Sequence, residues 1–399
     1  MSIAAIISEY DPFHKGHQYQ IEQTRKRGAT HIVSIMSGNF TQRGLPSIVS
    51  KYTKAEIALQ NGCDLVIELP TPYSISSAER FAFGATFLAE ALGCIDFLSF
   101  GCEDDNISEL QLAAQVAMSR EVLVQTKIHL KKGISFASAR TLALRELHGK
   151  KISNLFLKPN NILAIEYIKN LNLLNSKIKP LAILRQGAMH DSSLPYSNFA
   201  SSSLLRNMLL QDNLEFKKYV SEVTYEILLR EREKGFAPAT LNNCERAILA
   251  KLRTLTKEDY LKIDDVNEGL ENKIFNVVQK ATSLSEVYTQ IKSKRYTQLR
   301  IQRIVLSAFL NISKELQVFA PPYIKVLGFN RRGKEILKLM KQKTILPIVT
   351  NASDVKKIES IPSAMKLFSC ECKAYNLYNI MLPTVRPCGF EMTTKLVKF

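Results

Sequence analysis

The sequence predicts an α/β protein, with a Rossmann-like parallel-sheet domain over residues 1–211 followed by a mainly helical, basic region over 212–399. Three observations carry this reading. Short apolar runs alternate with amphipathic stretches through the first half, the rhythm of a parallel sheet covered by helices on both faces. Each apolar run ends in a Gly-, Pro- or polar-rich loop, where open parallel sheets build their sites. Beyond residue 212 the pattern turns helical and positive charge accumulates.

Residues 3–8 form a short buried strand, and a helix follows over 17–27. Residues 30–36 read as a second strand, 54–61 as a helix, 64–69 as a third strand, and the helix 77–92 leads into a fourth strand at 97–100. The stretch 107–147 is mainly helical. Lys158-Pro159-Asn160-Asn161 breaks that pattern before a helix over 162–174, and 179–185 is a fifth strand ahead of a loop over 186–198. A helix reopens at 200–210 with three serines in its first turn. The second half carries helices at 215–233, 244–254, 267–279 and 296–316, and a small α/β patch near 320–352 with strands at 323–327 and 346–350 around a helix at 332–341. There is no fixed-period repeat and no low-complexity tract.

An apolar fraction of 46% and a charged fraction of 23% are ordinary for a globular chain of 399 residues, enough for a sizeable core. Residues 2–8 are apolar but have no basic flank and run directly into Glu9-Tyr10-Asp11, so neither a signal peptide nor a membrane span is expected. Seven cysteines are scattered, and the one close pair, Cys370 and Cys372, has no second pair at zinc spacing. The expectation is free thiols in a reducing cytoplasm, with no resident metal. The net charge of +17 is unevenly spread: residues 1–200 hold 21 Lys and Arg against 17 Asp and Glu, and residues 201–399 hold 33 against 20. Between Lys292 and Lys343 there are thirteen basic residues against Glu315 and Glu335 alone. Such an excess favours a polyanionic partner through counterion release. Composition does not separate RNA from DNA or an anionic membrane, nor these from a merely solvated basic surface.

The densest information lies in the loop after the first strand, Glu9-Tyr10-Asp11-Pro12-Phe13-His14-Lys15-Gly16-His17. Two histidines three apart at a helix start share one face, and Gly16 removes a side chain where a ligand can approach the backbone. A helix N-terminus offers free N–H groups and the positive end of a dipole. Imidazoles added there can donate to phosphate oxygens as charge builds in a transition state. That suits displacement of pyrophosphate from an α-phosphorus, which needs positioning and charge stabilisation more than covalent catalysis. Zinc is the competing reading of a histidine pair, and no neighbouring carboxylate or cysteine set supports it.

His14-Lys15-Gly16-His17 resembles the H-x-G-H signature of the nucleotidyltransferase superfamily. The longer stretch resembles one branch more closely, the bacterial tRNA(Met) cytidine acetate ligase family. Met36-Ser37-Gly38-Asn39-Phe40-Thr41-Gln42-Arg43-Gly44, Asp64-Leu65-Val66-Ile67-Glu68-Leu69-Pro70, Phe100-Gly101-Cys102-Glu103, Lys158-Pro159-Asn160-Asn161 and Val326-Leu327-Gly328-Phe329-Asn330 extend the resemblance across most of the chain in order. It implies activation of acetate with ATP, accompanied by Mg2+, to acetyl-adenylate, and transfer of the acetyl group to N4 of the wobble cytidine of elongator tRNA(Met). Carried over by position, it assigns Ile7, Ser8, Glu9, Tyr10, Asp11, Pro12, Phe13, His14, Lys15, Gly16 and His17 to ATP, with Gly101, Asn161, Arg185, Ser202 and Ser203. His14, His17 and Arg206 are implied to act in catalysis, and His190 and Asp191 match a His-Asp pair. The basic second half is implied to hold the tRNA. The departures are Asp11 where the family usually has Asn, Lys15 where it often has Asn, Met189 in place of a Tyr, and Ser203 for a Thr. Two other readings stand beside it: an adenylyltransferase or carboxylate ligase for a small metabolite, and a non-catalytic RNA-binding protein.

Overall fold

The computed structural model describes residues 1–186, 199–267 and 269–399. Ten strands are described among them: β1 (Ile3–Ser8), β2 (His31–Ser37), β3 (Phe40–Thr41), β4 (Leu45–Pro46), β5 (Leu65–Leu69), β6 (Phe97–Cys102), β7 (Lys179–Leu184), β8 (Ile324–Phe329), β9 (Ile348–Val349) and β10 (Val397–Lys398). The main sheet runs β10-β8-β5-β2-β1-β6-β7, with β9 paired to β8. Its first-half strands are all parallel: Ala5 pairs with Val33 on one side and Leu98 on the other, and β6 runs beside β7 from Phe97↔Lys179 to Cys102↔Leu184.

The strand periodicity of two sorts β1 cleanly. Ala4 and Ile6 enter one apolar cluster, and Ile3 and Ala5 enter the other. Helices α1 (Lys15–Lys26) and α2 (Lys51–Gln60) cover the first face with Ile21, Ala55 and Leu59, joined by Leu252, Ile301 and Leu306 from the second half. The helices Ala78–Ala91, Ile107–Ala117, Phe136–Leu155 and Pro159–Leu173 cover the second face. A strand buried on both faces reads as a continuous apolar run, and β2 is buried along its whole length.

The predicted strand at 323–327 is observed as β8 and lies within the main sheet, antiparallel to β5, with Ile67 opposite Val326. The helix Arg331–Lys343 packs Ile336 and Met340 onto the second face. Two further differences concern backbone that carries little periodicity. Pro159 occupies the first turn of its helix instead of preceding it, a place where its missing N–H costs nothing. After β2 the chain folds into the short hairpin β3–β4, whose strands of two residues are too brief to alternate visibly. Among the described residues no helix is long and apolar enough to cross a membrane, and no group of three or more His, Cys, Asp and Glu is arranged to hold a metal ion.

Candidate active site

The C-terminal ends of β1, β6 and β7 converge on the start of α1, and they bring together most of the residues singled out from sequence. His14 is the N-cap of α1. Its Nδ1 accepts from Gly16 N at 3.0 Å, and His17 Nδ1 accepts from His14 N at 3.2 Å, a reciprocal capping box made of imidazoles. The rings stack at 3.7 Å with 16° between planes. Tyr10 and Phe13 press on His17 edge-on and tilted at 4.9 Å and 5.5 Å. A backbone N–H can only donate, so both Nδ1 atoms are unprotonated and the proton of each neutral ring sits on Nε2. Neither Nε2 has a protein partner among the described residues. Burial and then the Arg185 charge lower the His14 pKa to about 3. Burial, His14 and Arg185 hold His17 well below its usual range. The pair is therefore neutral at physiological pH and presents two Nε2–H donors.

The free N–H groups expected at this helix start are largely taken: Gly16 N goes to the His14 ring and His17 N to the His14 carbonyl at 2.8 Å. Gly16 is required for a different reason from ligand approach alone. A Cβ there would lie 2.9 Å from His14 Cε1, so a side chain would dislodge the capping ring. Lys15 points away and donates to Lys218 O at 2.6 Å. Ile7 pairs with Ile35 in the sheet, and Ser8 Oγ meets Ser34 Oγ at 3.0 Å.

Across the pocket, Gly101 lies near the end of β6 and Arg185 directly follows β7. A Cβ on Gly101 would sit 3.2 Å from Arg185 Cγ. Arg185 Nη1 donates to Asn160 Oδ1 at 3.2 Å. Asn161 is fully buried and its side chain is spent: Oδ1 accepts from Glu103 N at 2.9 Å and Asp104 N at 3.3 Å, and Nδ2 donates to Asp104. Glu103 in turn accepts from the backbone N–H groups of Asn160 and Asn161, fastening the β6 loop to the helix Pro159–Leu173. Asn161 thus shapes the Gly101 loop from behind.

Ser201 caps the helix Ser202–Leu210, accepting from Leu204 N at 3.1 Å, and Ser202 and Ser203 fill its first turn, half-buried. Arg206, one turn on, is buried and engaged. Its Nη1 donates to Asp11 Oδ2 at 2.7 Å and Pro46 O at 2.8 Å, and its Nη2 to Ala239 O at 3.4 Å. Asp11 Oδ1 accepts from Ile48 N at 2.6 Å. The arginine of the second motif therefore meets the first motif through Asp11. His190 and Asp191 lie outside the described residues.

Lys54 opens a segment, Lys54-Ala55-Glu56-Ile57-Ala58-Leu59, that shares the family resemblance, but sequence reasoning gave it no role in the site. Lys54 is 1% exposed, its Nζ donates to Glu9 O, Ser37 O and Ser47 Oγ at 2.8–3.0 Å, and burial lowers its pKa to about 8. It ties the motif loop to the end of β2. A lysine among the buried positions of α2 is the signal that could have found it.

The family described as HIGH Nucleotidyl Transferase matches residues 1–391. The tRNA(Met) cytidine acetate ligase of Thermoanaerobacter sp. is 38% identical over 405 aligned positions, covering all of both chains. That of Caldanaerobacter subterraneus subsp. tengcongensis is 39% identical over 95% of each. Crystal structures of Thermotoga maritima TmcAL, at 32% identity over the full length of both chains, superpose with TM-scores of 0.94 for the apo form and 0.92 for the form bound with alpha-thio ATP. The chain belongs to the HIGH nucleotidyl transferases and, within them, to the tRNA(Met) cytidine acetate ligase family.

Proposed function

We propose that this protein is an ATP-dependent ligase that activates acetate as acetyl-adenylate and transfers the acetyl group to N4 of the wobble cytidine of elongator tRNA(Met), in the cytoplasm. The observation that carries the reading is the pair of neutral imidazoles whose Nε2–H groups have no protein partner among the described residues, within the field of the Arg185 charge. ATP enters as its magnesium complex, with the triphosphate over the start of α1. An acetate oxygen attacks the α-phosphorus, the bond to the bridging oxygen breaks, and pyrophosphate leaves with the electron pair. No proton changes hands in that step, so fixed neutral donors serve it better than a titrating acid. His14 and His17 donate to the oxygens on which charge grows, and Arg185 adds its positive charge.

Gly101 and Asn161 shape the nucleotide wall, and Ser202 and Ser203 bring hydroxyls to the opposite helix start. Arg206 acts as a positioning residue, holding the motif loop through Asp11. Adenylation is chemically apt because free acetate is a poor acyl donor and an exocyclic cytosine amine is a poor nucleophile. The basic second half, residues 212–399, carries the tRNA. The relatives' names and the alpha-thio ATP-bound relative support the reading.

The test is acetate-dependent ATP–pyrophosphate exchange, repeated with purified tRNA and nucleoside mass spectrometry. Exchange together with a tRNA-dependent acetylcytidine is the expected result. Exchange with a different carboxylate and no tRNA product would transfer the case to a small-metabolite ligase.

A further inference from the structure

Two polar groups, one at the start of the histidine loop and one on the hairpin bonded to it, hold hydrogen-bonding capacity that the fold leaves unused. Glu9 follows β1 and is half-buried. Its Oε1 accepts from Gln42 N at 2.7 Å and from Ser37 Oγ at 3.4 Å, and Oε2 has no hydrogen-bond partner among the described residues. Gln42, at the turn of the β3–β4 hairpin, has a buried Nε2 with no partner. A buried amide nitrogen without an acceptor is costly, and such groups call for an explanation.

Their place in the sheet tells which ligand they meet. In the order β5-β2-β1-β6-β7, Gly101 and Arg185 lie on the β6–β7 side of the histidine loop. Ser37, Gln42 and the Glu9 carboxylate lie on the β2 side. An adenylate spread over β1, β6 and β7 leaves the β2 side for the group that attacks it. The same hairpin rests on the basic helix Gln298–Leu310: a Cβ on Gly44 would sit 2.6 Å from Arg303 N and Gln302 C. The hairpin thus joins the site to the stretch Lys292–Lys343, where the positive charge is densest.

We propose, resting on the function above, that Glu9 and Gln42 form the subsite for the reacting cytosine. Gln42 Nε2–H donates to the N3 and O2 acceptors of its Watson–Crick edge, and the Glu9 carboxylate accepts from the N4 amine. This is the pairing of donors and acceptors that reads cytosine. In the transfer step N4 attacks the acetyl carbonyl carbon and the N4–C bond forms. The bond from that carbon to the adenylate oxygen breaks, AMP departs with the electron pair, and the proton from N4 passes to the Glu9 carboxylate. Burial raises the Glu9 pKa, against the Gln42 N–H and the Lys54 charge, which strengthens it as a proton acceptor. The charged and titratable groups around it are Lys54 from α2, Asp11 from its own loop, Arg43 from the hairpin and Tyr167 from the helix Pro159–Leu173.

The experiment is single-turnover transfer from enzyme charged with acetyl-adenylate to tRNA, for wild type, Glu9→Gln and Gln42→Leu, with exchange measured in parallel. Glu9→Gln keeps the oxygen that receives Gln42 N and Ser37 Oγ, so the loop is held while the proton acceptor is lost. Transfer should fall about 100-fold or more, at least ten times further than exchange falls. Its rise with pH on the acid limb should vanish. Gln42→Leu should raise KM for tRNA by roughly tenfold or more with little change in kcat. Glu9→Gln transferring within twofold of wild type would overturn the subsite, and so would a defect confined to KM for ATP, which would mean that the pair reads adenine. A wild-type chain that makes no acetylcytidine would overturn the function and the subsite together, so the two failures are distinct.

Discussion

Beneath the ends of β2 and β5, Lys51 Nζ lies 2.8 Å from both carboxylate oxygens of Glu68 and 2.5 Å from Glu391. Lys325 reaches the other Glu391 oxygen at 3.3 Å, and Glu371 accepts from Thr71 N and Oγ1 at 2.6 Å and 2.7 Å. All five charged side chains are at most 5% exposed. At the histidine pair burial is as deep, with His14 4% exposed, yet the outcome is opposite. In the lysine–glutamate cluster, burial and the Glu68 charge push Glu371 up to about 8. It is then protonated at neutral pH, and two lysines balance two carboxylates. The charges are kept, paired and turned on one another. At the histidines the charge is discarded, and the Nε2–H of each ring has no partner among the described residues. Perturbed titration marks both places. Buried polar atoms without a hydrogen-bond partner occur at the cluster as well, Glu391 Oε2 among them, so what separates the two places is that one keeps its charges in pairs and the other gives its charge up.

That contrast can be broken by substitution. Lys51→Met should give the largest effect, a loss of about 3–5 kcal/mol of stability. It leaves the Glu68 and Glu391 carboxylates facing each other in the interior, and urea denaturation would measure it. A loss under about 1 kcal/mol would mean that the cluster repacks or admits water, and that its closure is not what distinguishes it. His17→Ala should reverse the pattern. Acetate-dependent exchange should drop by roughly 10²–10³-fold, the scale for removing a fixed donor to developing charge, while urea denaturation shifts far less than in Lys51→Met. Exchange within tenfold of wild type would remove His17 from the phosphate site.

The same contrast explains how much was legible in the sequence. β1 was readable to the residue, because Ile3 to Ser8 is an unbroken apolar run ending in a polar loop. The H-x-G-H histidines were readable as a pair because a three-residue spacing at a helix start brings the N-cap and the third helical residue together whatever the rest of the fold does. The reason for Gly16 was not readable, since it depends on where the His14 ring turns. Nor was the engagement of Arg206, because Asp11 is 195 positions away and nothing local ties the two. The lysine–glutamate cluster was invisible for the same reason. Its members come from α2, β5, β8, the helix Pro362–Asn379 and the short helix Phe390–Thr393, each reading singly as a surface charge. β8 was recognised as a strand, but its place beside β5 is a long-range pairing that periodicity does not encode. Local chemistry is written locally, and buried charge is legible only once its partners are known.

The smallest expected effect sharpens the comparison most. The His14 pKa near 3, with His17 also far below its usual range, places both rings in the neutral form across the physiological window. Exchange should therefore change by less than about twofold between pH 8 and pH 6, where an unperturbed histidine near 6.5 would pass through its titration. Stability follows the same rings with a definite sign. Unfolded, they bind protons as pH falls through about 6.5; folded, His14 does not until about 3. The unfolded state then holds more protons between those values, so stability is fully present above about 6.5 and drains away as pH falls toward 3. Denaturation midpoints at pH 7.5 and 5 for wild type and His14→Asn would read this, the variant losing part of the decline. A tenfold fall of exchange between pH 8 and pH 6 would mean that the rings titrate in the working range. The histidines would then resemble the lysine–glutamate cluster in carrying charge, and the neutral-donor account of adenylation would have to be given up.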